Sequence, residues 1–297
     1  MYARLPINLF TETLYMSPSL FPCLTIAGLD PSGGAGIIAD LKTFAALGCY
    51  GQAAVTAVTV QSSLGVRESV AMDSGLVYRQ AAAVMDDFMP VAVKTGMLGN
   101  AAVVQAVTKL LREYKPEYVV VDPVMLSTSG MPLLDASAVP VLQKELLPLS
   151  TLVTPNLPEA ETLLRTAGMD VTGFTETFSG DNKEENEEEK KEWLHRLSQA
   201  CGGAAVLLKG GHAEGAPTDY LYYNGSFRAY PGKRIASRNT HGTGCTLSSA
   251  IAAHLARGMN LPNAVAAAKT YVTAAIESGA ALFSGKGHGS LNHFFEK

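Results

Sequence analysis

The sequence predicts an α/β fold around a mainly parallel sheet, with an antiparallel hairpin at its edge. Three observations predict it. Short β-branched runs alternate with apolar patterns of helical period, as in chains of βαβ units. Glycine-rich or proline-marked loops follow those runs, where such a sheet gathers its ligands. Asn224-Gly225 interrupts a Tyr-rich run, and both residues tolerate the positive φ of a tight hairpin turn.

Taken in order, Cys23–Ala27 reads as a buried strand, and a glycine-rich segment to Gly36 follows it. Ile37, Ile38, Leu41, Phe44 and Leu47 recur at helical spacing, which predicts a helix over Ile37–Leu47. The Val and Thr content of Ala53–Val60 makes it a second strand. The alternation continues with a helix near Leu76–Phe88, strand Val91–Thr95, helix Ala101–Tyr114 and strand Tyr118–Val121. A helix near Ala136–Leu147, a strand Leu152–Thr154 and a helix from about Leu157 come next. Ala204–Lys209 is a strand, Tyr220–Tyr230 the hairpin, and Ala-rich helices near Thr243–Arg257 and Asn263–Ala281 close the chain. Gly173–Glu192 has no apolar period and reads as a solvated loop running into the helix that carries Trp193, Leu194 and Leu197. Residues 1–20 read as a flexible extension. The expectation is one domain over 21–297 with a charged surface insertion at about 173–192.

Composition narrows the function classes. A 47% hydrophobic content with 28 glycines excludes a disordered or fibrous chain. The net charge of −4 is local, since Asp181–Glu192 holds seven of the 27 acidic residues and three of the 23 basic ones. The remainder is balanced, so nothing indicates a nucleic-acid surface. Cys23, Cys49, Cys201 and Cys245 form no C-x-x-C pair, which fits reduced thiols in a cytoplasmic protein. No stretch reads as a membrane span or a secretory signal.

Five segments carry chemistry. Thr240-His241-Gly242-Thr243-Gly244-Cys245-Thr246 opens a long small-residue helix. Its unpaired amides and helix dipole suit a phosphate or a transferring phosphoryl group. Cys245 falls in the first turn, where a thiol pKa is lowered. Gly28-Leu29-Asp30-Pro31-Ser32-Gly33-Gly34-Ala35-Gly36 lets backbone approach a ligand closely, yet it is neither a Walker A loop nor a G-x-G-x-x-G fingerprint. Asp122 ends a Val-rich strand. Asn156-Leu157-Pro158-Glu159 follows another, and reads either as an N-cap or, beside Asp122, as part of a Mg²⁺ environment. Lys209-Gly210-Gly211-His212 places a cation at a strand end, suited to phosphate. All five lie at strand ends or helix starts, and together they point to ATP-dependent phosphoryl transfer without a P-loop.

The same segments resemble a known family. Thr25–Thr43, Lys94-Thr95-Gly96-Met97-Leu98, Asp122-Pro123-Val124-Met125, Thr154–Ala160, Lys209–His212 and Asn239–Thr246 are similar to hydroxymethylpyrimidine/phosphomethylpyrimidine kinases of thiamine synthesis. The match runs in order from about Cys23 to the C-terminus. It implies the ribokinase-like three-layer α/β/α sandwich, a homodimer, and phosphorylation of 4-amino-5-hydroxymethyl-2-methylpyrimidine and then of its monophosphate. By the resemblance, Gly28, Asp40, Gln61, Met97 and Val124 hold the aminopyrimidine, with Asp40 and Gln61 on its ring edge. Asp122, Asn156 and Glu159 fall to Mg²⁺, and Lys209, His212, Thr243 and Gly244 to the nucleotide phosphates. Gly242, Thr243, Gly244 and Cys245 form the catalytic segment, with Cys245 where many superfamily relatives carry an Asp base. A pyridoxal/pyridoxine kinase of the same fold is the rival reading, and a non-catalytic pyrimidine-binding relative a weaker one.

Overall fold

The computed structural model describes residues 20–127, 129–179, 187–212, 216–282 and 285–295. The side chains of Ser179 and His212 lie outside the described residues, as do residues 1–19 and the centre of the acidic tract.

Among the described residues, nine strands form one sheet in the order β3-β2-β1-β4-β5-β6-β7-β8-β9. β1 (Pro22–Leu29), β2 (Tyr50–Ser62), β4 (Ala92–Thr95), β5 (Tyr118–Val121), β6 (Leu152–Val153) and β7 (Ala205–Leu208) run parallel. β3 (Gly65–Ala71) is antiparallel on one edge; β8 (Asp219–Tyr223) and β9 (Ser226–Tyr230) are antiparallel on the other. The hairpin turn is the expected one, with positive φ at Asn224 and Gly225. The sheet therefore carries an antiparallel strand at both edges rather than one. β3 escapes the sequence reading because Gly65–Ala71 mixes Arg, Glu and Ser into a solvated edge strand.

Alternation along the parallel strands separates two cores. Leu24, Ile26, Val93, Val121 and Val206 face the helices Ser74–Asp87, Ala101–Tyr114, Leu157–Thr166 and Glu187–Ala200. Cys23, Ala92, Val120, Leu152 and Leu207 face the helix Thr243–Ala256 and its neighbour Leu261–Gly279. The result is a three-layer α/β/α sandwich. None of the described helices is long and apolar enough to cross a membrane.

Two expected elements differ. Ala136–Leu149 is broken into short 3₁₀, α and π turns, because Pro140 and Pro148 cannot donate to a continuous ladder. The segment from Gly173 is not wholly a solvated loop. Phe174–Ser179 is helical, and Phe174 is fully buried with its ring edge-on to Trp193 at 5.3 Å.

Candidate active site

The parallel strands end on one side of the sheet, and the loops that leave them carry the functional side chains. Asp30 follows β1, Gln61 sits near the end of β2, Met97 follows β4, Asp122 follows β5, Asn156 and Glu159 follow β6, and Lys209 follows β7. Above them opens a cleft of about 990 Å³. Gly28, Gln61, Met97 and Val124 line it, as do Lys209, Gly211, Thr243, Gly244 and Cys245. A Cβ on Gly28 would lie 2.9 Å from Met97 Sδ, so a side chain there would have to displace the Met97 thioether.

The helix Thr243–Ala256 enters the cleft amide-first. Gly242 takes the left-handed conformation at φ 86°, and its backbone rests on the Gly34 carbonyl of the first glycine-rich loop. The two loops therefore pack backbone to backbone. The Thr243 amide turns back to the Thr240 carbonyl at 3.3 Å. The Gly244 and Cys245 amides, in the first turn, have no acceptor within the helix. The helix dipole adds partial positive charge at that point, so the first turn is built for an anion.

Lys209 stands beside this turn. Its Nζ is 2.7 Å from Asp122 Oδ1 and 3.9 Å from Glu159 Oε2. A Cβ on Gly244 would sit 3.4 Å from Lys209 Nζ and 3.8 Å from Asp122 Oδ2, so carboxylate and ammonium both face the helix start. Burial opposes the Lys209 charge, but Asp122 and Glu159 overcome it and hold the ammonium above its ordinary pKa. Burial pushes the Glu159 carboxyl up to about 7, with Lys209 pulling against it. Asn156 and Glu159 form a reciprocal capping box: Glu159 N–H donates to Asn156 Oδ1 at 2.9 Å, and Asn156 N–H to Glu159 Oε2 at 2.8 Å. The N-cap reading of this tetrapeptide is present in the structure. Among the described residues, no group of three His, Cys, Asp or Glu side chains could hold a metal by itself.

Two expectations are corrected. Asp40 does not reach the cleft. It is fully buried on the inner face of the helix Gly36–Ala46, where it accepts from Lys94 at 2.8 and 2.9 Å, Ser249 at 2.7 Å and Thr25 at 2.6 Å. Four hydrogen bonds leave it nothing to offer a ring edge. The Cys245 thiol shifts in the direction opposite to the lowering expected of a first-turn cysteine. Burial pushes it up to about 11, offset only in part by Lys94. Replacing Cys245 by Ala is therefore expected to cost about tenfold in kcat, below the 10²–10⁴ of a dedicated base. Steady-state kinetics at saturating substrates would show it, and a loss beyond 10³ would restore the thiol as a base.

Other residues at the site went unnoticed in the sequence. Asp30 ties its own loop together, accepting from the Ser32 amide at 2.8 Å, the Ser32 hydroxyl at 2.7 Å and the Ala35 amide at 2.9 Å. Asp-Pro-Ser-Gly carries that signal as an Asx turn. His241 lies 2.8 Å from Asp30 Oδ2, a contact across 211 positions that no local pattern announces. Ile235, Val272 and Ile276 supply apolar lining from the C-terminal part of the chain. The expected contribution of the His212 side chain lies outside the described residues.

Comparison with known proteins follows the same lines. The phosphomethylpyrimidine kinase family model matches residues 30–292. The thiamine biosynthesis bifunctional protein ThiED of Geobacter sulfurreducens is 45% identical over 91% of this chain, which spans 51% of that relative's length. The hydroxymethylpyrimidine/phosphomethylpyrimidine kinase of Rhizobium meliloti is 43% identical over 91% of this chain and 96% of its own. The pyridoxal kinase from Staphylococcus aureus, solved in complex with ADP, is 31% identical with a TM-score of 0.78, covering 94% of this chain and 95% of that one. The fold is ribokinase-like.

Proposed function

We propose, from the premise that this chain belongs to the phosphomethylpyrimidine kinase family, that it transfers the γ-phosphoryl group of ATP to the hydroxymethyl oxygen of 4-amino-5-hydroxymethyl-2-methylpyrimidine. A second transfer to the monophosphate yields the diphosphate for thiamine biosynthesis. One observation carries the reading. The first turn of the helix Thr243–Ala256 and Lys209, ion-paired to Asp122 behind it, converge on the same cleft that Gly28, Gln61, Met97 and Val124 line.

The chemistry follows from those groups. A loose phosphoryl-transfer transition state needs alignment and charge neutralisation more than proton abstraction. The Gly244 and Cys245 amides face the transferring group, as oxyanion donors do, without having to reorganise. Lys209 neutralises phosphate oxygens, and Asp122 with Glu159 keeps its ammonium charged and fixed. Gly28 and Met97 shape the ring pocket, while Gln61 supplies its polar contact. The donor set also fits Mg²⁺, which takes one or two carboxylates and completes its shell with water and phosphate oxygens. Asp122 and Glu159 would hold it, and Asn156 would reach it only by giving up its cap. When bound, Mg²⁺ neutralises and aligns the phosphates.

A homodimer is part of the proposal. Val58, Val60, Leu64 and Val70 of the β2–β3 ribbon are 41–63% exposed, an apolar surface suited to a second copy.

The likeness to pyridoxal kinase makes the ring specificity the point to test. ATP consumption is measured with the pyrimidine alcohol, its monophosphate and pyridoxal offered separately, and the products are identified by mass. Turnover of both pyrimidines, with pyridoxal at least about tenfold slower in kcat/KM, is the expected outcome. Lack of diphosphate from the monophosphate would remove the second step. Preference for pyridoxal would replace the reading altogether.

A further inference from the structure

Gln61, His241, Asp30 and Thr59 form a chain of polar groups at the cleft, drawn from three separate segments. In the structure Gln61 Nε2 lies 3.1 Å from His241 Nε2, and Gln61 Oε1 accepts from Thr59 Oγ1 at 3.1 Å. His241 Nε2 lies 2.8 Å from Asp30 Oδ2, and Thr59 Oγ1 lies 3.0 Å from the Leu29 carbonyl. The amide turned by half a revolution about its last bond occupies the same positions with oxygen and nitrogen exchanged, so the protons decide between the two orientations.

They favour the turned amide. With the amide turned, the single Thr59 proton goes to the Leu29 carbonyl, which can only accept. Thr59 Oγ1 must then accept from Gln61, and the amide NH₂ faces Thr59. At the other end, Asp30 already accepts from two amides and a hydroxyl. Burial raises its pKa, but hydrogen bonds from His241 and Ser32 outweigh that and hold it below the ordinary value. Asp30 is thus a carboxylate, and His241 Nε2 must carry a proton to donate to it. That same N–H cannot accept from Gln61, so the amide oxygen faces His241 and takes a share of its proton. Each of these contacts then pairs one donor with one acceptor.

The backbone supports the placement. The His241 amide donates to the Gly289 carbonyl at 3.0 Å, and the Gly287 and His288 amides donate to Ser63, two residues beyond Gln61. Gly34 must lack a side chain, because a Cβ there would strike the His241 ring. An irregularity in the β2–β3 register between Val60 and Gln61 aims the Gln61 side chain.

We propose that His241, anchored by Asp30, is a positioning residue that fixes the Gln61 amide with its oxygen towards His241 and its nitrogen towards Thr59. The amide then keeps one lone pair and one N–H for a ligand. A ring edge with an exocyclic amine beside a ring nitrogen takes both; a ring edge with a lone hydroxyl takes one. The inference rests on the pyrimidine kinase reading, because it supposes that Gln61 meets such an edge.

The test is a double-mutant cycle on Kd for the pyrimidine alcohol, measured by calorimetry on wild type, Gln61→Leu, His241→Phe and the double variant. Each single change is expected to weaken binding about tenfold, and the double to stay within about twofold of Gln61→Leu. Asp30→Asn, crossed with Gln61→Leu in the same way, serves if His241→Phe does not fold, and the same coupling is expected. Single effects that multiply to about a hundredfold would show that His241 acts independently of Gln61, and would overturn the inference while leaving the function intact. Wild-type protein that does not bind the pyrimidine alcohol would overturn both.

Discussion

Gly242→Ala is expected to lower kcat/KM by at least about 10³ while the protein remains folded. Two independent effects combine. Gly242 sits at φ 86°, a conformation that strains any residue with a Cβ, and the Cβ itself would land on the Gly34 carbonyl. The obstacle is backbone, so no side chain can swing away to relieve it. Either the helix start shifts, or the first glycine-rich loop does. Both belong to the proposed site: one presents the Gly244 and Cys245 amides, the other holds Asp30 and, through it, His241. Gly244→Ala is the matched control. Its Cβ would meet Lys209 Nζ at 3.4 Å, an ordinary van der Waals contact that asks no backbone to move, so the expected loss is only about tenfold. Kinetics on both variants, with thermal melts to confirm folding, checks the pair. Equal losses would mean that the packing of the two loops does not matter.

That contrast also shows what the sequence could disclose. The parallel sheet, its helices and the edge hairpin follow from local pattern, and so do the phosphate-side segments, because a glycine-rich helix start or a Lys at a strand end is a short-range signal. Ring recognition is different. Gln61 is one polar residue on a strand of Val and Thr, and only resemblance singled it out. Its partner His241 is 180 positions away, brought close by the sheet. Asp40 shows the converse error. A resemblance can carry over a residue's identity without its surroundings, and here Lys94, Thr25 and Ser249 enclose the carboxylate. β3 carries no readable alternation because charged residues interrupt it, and the helix expected near Ala136–Leu147 is broken where Pro140 and Pro148 cannot donate.

The enclosed pair defines the second large effect. Lys94→Met is expected to destabilise the fold by about 3–5 kcal/mol, since it leaves Asp40 buried without its cation. Both side chains are 0% exposed, and Lys94 Nζ bridges the two carboxylate oxygens at 2.8 and 2.9 Å. Burial alone would lower the Lys94 pKa; the Asp40 charge more than compensates and holds it above the ordinary value. The charged pair therefore persists through the neutral range. Its contribution is complete below the lysine's unfolded pKa, and is lost only as pH rises through the still higher folded value. Thr25 and Ser249 soften the loss but cannot replace a charge. In a chain of this length such a change lowers Tm by about 10 °C. Adding Asp40→Asn to Lys94→Met removes the stranded carboxylate while keeping an acceptor for one hydroxyl, so the double variant is expected to recover about half of that shift. Lys94 also lines the cleft, 3.0 Å from where a Cβ on Gly96 would sit, and its charge opposes the rise of the Cys245 thiol. The pair thus fixes the Lys94 ammonium near the first turn of the helix Thr243–Ala256, and the double variant should recover stability without recovering kcat. Recovery of both would make Lys94 and Asp40 a purely structural pair.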